Sequence, residues 1–366
     1  MRKNGGRTLK RILVAGFSTR HVACSAQKAG YEVYAIDHFC DADLRKAVIA
    51  YDRFDELASL PIKIGEMCRR YSIDAIIPTS GAENLTGLPA PVLGSSPAVA
   101  ARYLDKGYTQ KWFESLQIPV PPLVRPGEFP AMLKPLKGSG GWRNTIVHSD
   151  DDISAWKDLF PDEPFILQRI VDGIPASVCC VAAGGKARAL AVNQQIMRGC
   201  GPYRFGFCGS VTPFDTPGKD EMIRYAELAA ARSGCIGVLG IDFMVCSDAV
   251  YAIELNPRFV ATLDTIESAT GINLVDLHIN ACRGIIPESI PVPVQYAVRR
   301  ILFTDRSFTL TQDLSPLQPH VADVPVTPAE FEEGGAVISV FGSGSDLIHA
   351  EETLDNTIRL VNQYIQ

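Results

Sequence analysis

The chain has 366 residues, of which 46% are hydrophobic and 21% charged, and its formal net charge is −6. That length builds two or three domains with substantial cores. The acidic balance argues against a nucleic-acid partner, which demands clustered Lys and Arg, and no apolar run reaches the roughly 18 residues that span a bilayer.

The basic start, MRKNGGRTLKR, precedes an apolar run too short for a secretory signal, so a cytoplasmic, soluble protein with a loose leader is expected. Residues 11–16 (RILVAG) read as a strand and lead into a helix-compatible stretch ending at 29. Residues 31–37 (YEVYAID) and 74–78 (DAIIP) read as two more strands, with a helical stretch at 66–71 between them. Strands separated by helices predict a parallel sheet with crossover helices, a Rossmann-like layer. It lacks GxGxxG, so no dinucleotide site is expected there.

Residues 105–117 predict a helix, since Tyr108, Trp112 and Leu116 share one face. Five prolines in 118–130 mark a linker. Strand signals follow at 131–134 and 165–171, then a helix at 220–233 stopped by Gly234, then strands at 240–245 and 250–255. The stretch 194–213 (QQIMRGCGPYRFGFCGSVTP), with four glycines, reads as an irregular loop. Pro287, Pro291 and Pro293 mark a boundary, followed by strand signals at 296–303 and 336–341 and a terminal helix at 350–364. The ten cysteines form no CxxC pair and the six histidines no metal-ligand spacing, which reads as free thiols. The expected class is α/β, becoming α+β in the middle region.

Two constellations carry chemistry by themselves. A strand delivers Lys134, and a glycine-rich loop follows with Gly138, Ser139, Gly140 and Gly141. Glycines let backbone N–H groups approach phosphate oxygens, and the lysine adds a point charge; a flexible surface turn is the alternative. The second constellation is Asp242 and Glu254 on two apolar strands joined by a turn at 247–248, where antiparallel pairing would bring them together. Asn256 shares the Glu254 face. These are hard oxygen ligands of the kind Mg²⁺ takes, although a salt-bridged acid pair with Arg258 would also fit. Lys106 after Asp105, and the strand-like FILQRIVDG at 165–173, say little alone.

In this order, the DK pair, KP with GSGG, LQ-x-x-x-x-G, GIDF and ELNPR resemble the motifs of the ATP-grasp superfamily, over about residues 10–360. The resemblance implies an ATP-grasp fold with a Rossmann-like N-terminal domain (1–97), an ATP-grasp domain (98–285, lid subdomain about 130–172) and a small C-terminal domain (286–366). It implies ATP with Mg²⁺, two ions, Mn²⁺ being an acceptable substitute. Lys106 and Lys134 would contact phosphates and the 138–141 loop would close as a lid. Gln168 would face the adenine amino group, with the Arg169 and Ile170 backbones beside the ring. Asp242, Glu254 and Asn256 would hold metal, and Arg258 would hold the developing acyl phosphate. Carboxylase-type relatives carry an acid nine residues beyond this arginine, where Glu267 stands; Arg258, Lys134 and Glu267 therefore form the expected catalytic set. For the acid that binds ribose in many relatives, Asp172 is the nearest substitute.

The implied activity is ADP-forming carboxylate–amine ligation through an acyl phosphate, on a small amino-acid-like substrate in coenzyme or modified amino-acid synthesis. The chain resembles an archaeal-type group related to biotin carboxylase, and the pyrrolysine-pathway and tyramine–glutamate ligases. A bicarbonate-activating enzyme and a non-catalytic MgATP-binding protein are the competing readings, although no MKM-type biotinylation motif is present. For the second substrate, Arg198 and Arg204 are candidate carboxylate clamps. Ser18, Thr19 and Glu83 sit at strand ends, where open α/β sheets place ligands. Partners are small-molecule carboxylate and amine, and a homodimer is left open.

Overall fold

The computed structural model describes residues 3–365 apart from 5, 6, 139, 142, 200 and 202. Strands β1 (Arg11–Ala15), β2 (Glu32–Asp37), β3 (Ala50–Arg53) and β4 (Ala75–Pro78) form a wholly parallel sheet in the order β3-β2-β1-β4. Helices α1 (Arg20–Lys28), α2 (Ala42–Ala47) and α3 (Leu60–Tyr71) make the crossovers. The sequence reading missed β3 because an edge strand with no fully buried residue carries no apolar run. Helix α3 starts six residues before the expected 66, with Pro61 in its first turn, where a missing N–H costs nothing.

Helices α4 (Pro97–Tyr103) and α5 (Lys106–Ser115) lead into a three-stranded antiparallel layer. Its strands are β5 (Ala131–Pro135), β6 (Thr145–Val147) and, beyond helix α6 (Asp150–Leu159), β7 (Phe165–Arg169), in the order β6-β5-β7. This layer has its own small core of Leu133, Val147, Trp156 and Leu167.

The main sheet begins with β8 (Ile174–Ala183), β9 (Lys186–Met197) and β10 (Phe207–Thr212). Helix α7 (Lys219–Arg232) packs on β8 and β9, and then β11 (Gly237–Val245) and β12 (Val250–Asn256) complete the part nearest the site. After α8 (Leu263–Thr270) and α9 (Leu274–Ala281), β13 (Tyr296–Phe303) joins the same sheet. A ribbon of β14 (Phe308–Leu310) and β16 (Ala329–Phe331) flanks β15 (Val321–Ala322) in sequence. Strand β17 (Ala336–Gly344) and helix α10 (Leu347–Ile365) end the chain. The eight-stranded order is β12-β11-β8-β9-β10-β13-β17-β15, and all its pairings are antiparallel.

The expected loop over 194–213 is a correction. β9 continues to Met197 and β10 starts at Phe207, so Gln194 pairs with Val211 and Gln195 with Ser210. Among the described residues the irregular part lies between Met197 and Phe207. Its flanks looked loop-like because their polar side chains are used inside the fold, Gln195 on the cleft wall and Ser210 and Thr212 in buried hydrogen bonds with Thr265 and Asn193.

One buried cluster joins Ile12, Val14 and Ala35 of the parallel sheet to Leu274, Val275 and Ile279 of α9, so the first layer packs firmly on the rest. Among the described residues no helix is long and apolar enough to cross a membrane.

Candidate ATP-binding and ligase site

β11 and β12 pair with Asp242 directly opposite Glu254 and Gly240 opposite Asn256. A register shift follows Asp242, and such bulges re-aim side chains beside functional sites. The Asn256 amide donates to Asp242 Oδ2 at 3.2 Å and to Glu254 Oε1 at 3.3 Å. Gln195 of β9 donates to Asp242 Oδ1 at 2.9 Å. Burial and the neighbouring Glu254 carboxylate push Asp242 well above the usual carboxylate range. Burial also works against ionised Glu254, but Lys106, its hydrogen bond with Asp242, and Arg258 hold its pKa below the ordinary value.

Asp105 caps α5 by accepting from the Tyr108 amide at 2.9 Å. This fixes the start of α5 and aims Lys106 across the cleft. The Lys106 Nζ donates to the Gly138 carbonyl at 2.6 Å and lies 3.6 Å from Glu254 Oε2. Lys134, on β5, faces the same space; burial and the Lys106 charge push its ammonium down to about 8 against the pull of Glu254.

The cleft between the lid layer and the main sheet has a volume of about 540 Å³, within the range of nucleotide-sized pockets. Its walls bring together Lys106, Lys134, Gly140, Gly141, Gln168, Arg169, Ile170, Arg204, Asp242, Glu254, Asn256 and Arg258. Asp172 also lines it, at the end where Met132, Ile146, Ile166 and Met244 supply an apolar wall. Ser139 lies outside the described residues.

Arg258 follows β12. Its Nε donates to Glu83 Oε1 at 2.6 Å and its Nη1 to the Phe259 carbonyl at 3.3 Å. Glu83 therefore reaches the site through Arg258, and its other oxygen accepts from the Gly81 amide at 2.7 Å.

Other expected residues stand apart. Glu267, in α8, accepts from the Ser25 hydroxyl at 2.5 Å and from the Leu274 amide at 2.8 Å. It ties α1 to the start of α9 and does not line the cleft. Thr19 is fully buried and gives both its amide and its hydroxyl to Asp37. The Ser18 carbonyl accepts from Thr79. Arg198 stacks 4.0 Å from the Phe303 ring centroid and donates to the Gly334 carbonyl, anchoring the 198–206 loop instead of facing the cleft.

Gln110 and Gln195, which orient Gln168 and Asp242, escaped the sequence reading. So did a buried ion cluster in which Arg20 contacts Asp43, Asp264 and Asp323 and Arg299 contacts Asp264 and Asp323. These residues lie up to 303 positions apart, and no local spacing signals them.

Residues 103–262 match the family model of the ATP-grasp domain. Over 366 aligned residues the chain is 25% identical to an uncharacterised protein of Methanocaldococcus jannaschii, covering 90% of this chain and 87% of that one. It is 22% identical to the carbamoyl phosphate synthase large chain of Pseudomonas syringae, spanning 79% of this chain but only 30% of that protein. The fold is like that of biotin carboxylase from Campylobacter jejuni, with a TM-score of 0.78, 15% identity, and 96% and 91% of the two chains covered. It is also like that of the L-amino acid ligase from Bacillus licheniformis, with a TM-score of 0.70, 15% identity, and 96% and 97% covered. The matched segment holds both lysines, the paired carboxylates and Arg258, so residues 103–262 of this chain are an ATP-grasp domain.

Proposed function

We propose that this protein is an ADP-forming carboxylate–amine ligase that binds MgATP in the cleft between the lid layer and the main sheet. The observation that carries the reading is convergence: two lysines, two carboxylates, an amide and an arginine, from residues 106 to 258, line one cavity.

The donor set fits the nucleotide. Gln168 is 3% exposed and its Oε1 has no hydrogen-bond partner, an acceptor suited to an adenine amino group. Arg169 and Ile170 line the same cleft. Among the described residues no group of three His, Cys, Asp or Glu forms a metal cage. Two carboxylates and the Asn256 oxygen would leave positions for phosphate and water, as Mg²⁺ prefers. MgATP supplies the phosphoryl group and the charge neutralisation that lets one anion attack another.

Lys106 and Lys134 place positive charge where phosphate oxygens would lie, and Arg258 holds the carboxylate in line with them. The glycine loop at 138–141 keeps water from the labile acyl phosphate. The amine then displaces phosphate from the acyl carbon. Arg204, on the cleft wall, suits a second carboxylate of an amino-acid-like substrate. The division into domains at about 97 and 285 belongs to the same reading, supported by separate buried cores in the lid and around α10.

The test is ADP release by purified protein with MgATP and pools of amino acids and amines. Release that needs both a carboxylate and an amine supports the ligase. Release with bicarbonate alone reassigns the protein to the carboxylase type. Nucleotide binding with no ADP from any mixture overturns turnover altogether.

A further inference from the structure

Thr262 precedes α8, four residues beyond Arg258, and lines the same cleft. A threonine at this position usually accepts from an amide of the first turn, with its own backbone extended. Here φ is −81° and ψ is 1°, and the side chain makes no capping bond. Its Oγ1 is buried with no partner of any kind, and the residue is 2% exposed.

The backbone around this hydroxyl is fixed from three sides. Arg299 Nη1 donates to the Ala261 carbonyl at 2.8 Å. The Thr265 hydroxyl and the Ile266 amide both donate to the Thr262 carbonyl, each at 3.0 Å. An unmade hydrogen bond on a buried hydroxyl is unfavourable, and two of these contacts hold the residue that suffers it, the third its neighbour Ala261. A buried hydroxyl left without a partner calls for an explanation, and a ligand in the cleft that Thr262 lines supplies one.

At this end of the cleft two of the other side-chain donors are already engaged. The Asn256 amide serves Asp242 and Glu254, and Lys106 serves Gly138. Between Asn256 and Thr262, only Arg258 and Thr262 have a side-chain donor to offer a substrate.

We infer that the Thr262 hydroxyl binds the second oxygen of the carboxylate being activated, with Arg258 on the first. The inference rests on the ligase reading. Thr262 has one rotatable bond before its hydroxyl, so it reaches a ligand without moving the backbone.

One carboxylate oxygen attacks the γ-phosphorus, forming the O–P bond as the bond to ADP breaks. The other oxygen, held by Oγ–H, becomes the carbonyl oxygen. When the amine nitrogen adds to that carbon, the C=O electron pair moves onto the same oxygen. The pair returns as the C–O bond to phosphate breaks, and the amine proton leaves with the phosphate. The N-terminal end of α8, positive by its aligned peptide dipoles, faces that developing charge. A hydroxyl cannot take the amine proton as a carboxylate would, so Thr262 serves as donor and not as base.

The experiment compares wild type with T262V, which keeps the shape and removes the hydroxyl, and T262S, which keeps the hydroxyl. A nonhydrolysable MgATP analogue is titrated first by calorimetry. Acetate, L-alanine, L-glutamate and bicarbonate are then titrated onto the loaded protein, and hydroxamate formation with MgATP and hydroxylamine is measured for each. The expected result is unchanged analogue affinity in all three proteins. Carboxylate affinity falls at least tenfold, and hydroxamate formation about 10²-fold, in T262V, with T262S within a fewfold of wild type. No analogue binding by wild type refutes the ligase reading itself. Analogue binding with no carboxylate response in wild type, or with equal responses in wild type and T262V, overturns the role of Thr262.

Discussion

Arg258 and Glu83 form a nearly buried ion pair, with Nε 2.6 Å from Oε1 and side chains 12% and 4% exposed. Glu83 follows β4 of the parallel sheet and Arg258 follows β12 of the main sheet, so the pair joins the two layers at the site. Removing one partner leaves an uncompensated charge, which costs about 3–5 kcal/mol in buried pairs. E83A is therefore expected to lower the melting temperature by several degrees. It should also raise KM for the carboxylate while leaving affinity for MgATP within about twofold. Thermal denaturation, together with KM measured for each substrate separately, checks this. Equal losses for both substrates would mean that Glu83 acts on the whole cleft.

The sequence made Asp242, Glu254 and Asn256 legible because register follows from alternation: two apolar strands joined by a short turn place the acids opposite each other. Lys134 was legible for a similar reason, being a charge inside a strand with glycines after it. Glu267 was not, since spacing from an arginine does not say which way a helix faces. In the fold that carboxylate turns toward Ser25 and the Leu274 amide. The cluster of Arg20, Asp264, Arg299 and Asp323 was equally hidden, because its members meet only after two layers pack.

That cluster predicts a pH dependence of stability. Arg20 and Arg299 overcome the burial cost and hold Asp264 and Asp323 below the ordinary carboxylate range. Their contribution is present above the unfolded value of about 3.8 and is lost as pH falls through the folded values. Asp41, at the start of α2, behaves oppositely. Burial and the neighbouring Asp323, Asp43 and Asp37 push it up to about 8. Between about 4 and 8 the folded state holds a proton there that the unfolded chain has released, so stability falls as pH rises. Asp41 is part-exposed, and solvent weakens the effect. D41N should melt about 1–3 °C above wild type at pH 8.5, with the gap closing toward pH 4. A gap that stays constant across this range would show that Asp41 does not titrate in it.

Gly141 and Phe205 supply a paired test of lid closure. A Cβ at position 141 would lie 2.3 Å from the Phe205 carbonyl oxygen, whereas one at position 140 would meet nothing within 4 Å. Both glycines have positive φ, +69° and +75°, so alanine at either position bears a similar backbone strain of roughly 1–2 kcal/mol. Only G141A also pushes the glycine loop off the 198–206 loop. ADP release by G141A should fall about tenfold or more below that of G140A, a loss consistent with misplacing a closing lid. The two variants should melt within a few degrees of each other. Indistinguishable rates would remove the 198–206 loop from closure.

Gln168 predicts the nucleotide preference. Gln110 gives its Nε2 to Glu114 Oε1 at 2.9 Å and to the Pro121 carbonyl at 3.2 Å, which turns its own oxygen toward Gln168. Gln168 Nε2 donates to that oxygen at 2.7 Å, and the chain of amides leaves Gln168 presenting an oxygen with no partner. An acceptor there suits the amino group of adenine and opposes the carbonyl oxygen of guanine. Burying an acceptor against another acceptor is costly, because neither oxygen has lost its need for a donor. Wild type should bind ATP at least tenfold more tightly than GTP. In Q168L, ATP affinity should fall about tenfold, GTP affinity should change little, and the preference should largely vanish. Competition of each nucleotide against a fluorescent ATP analogue measures all four affinities. A preference for ATP that survives in Q168L would assign base recognition to the backbone at Arg169 and Ile170 instead.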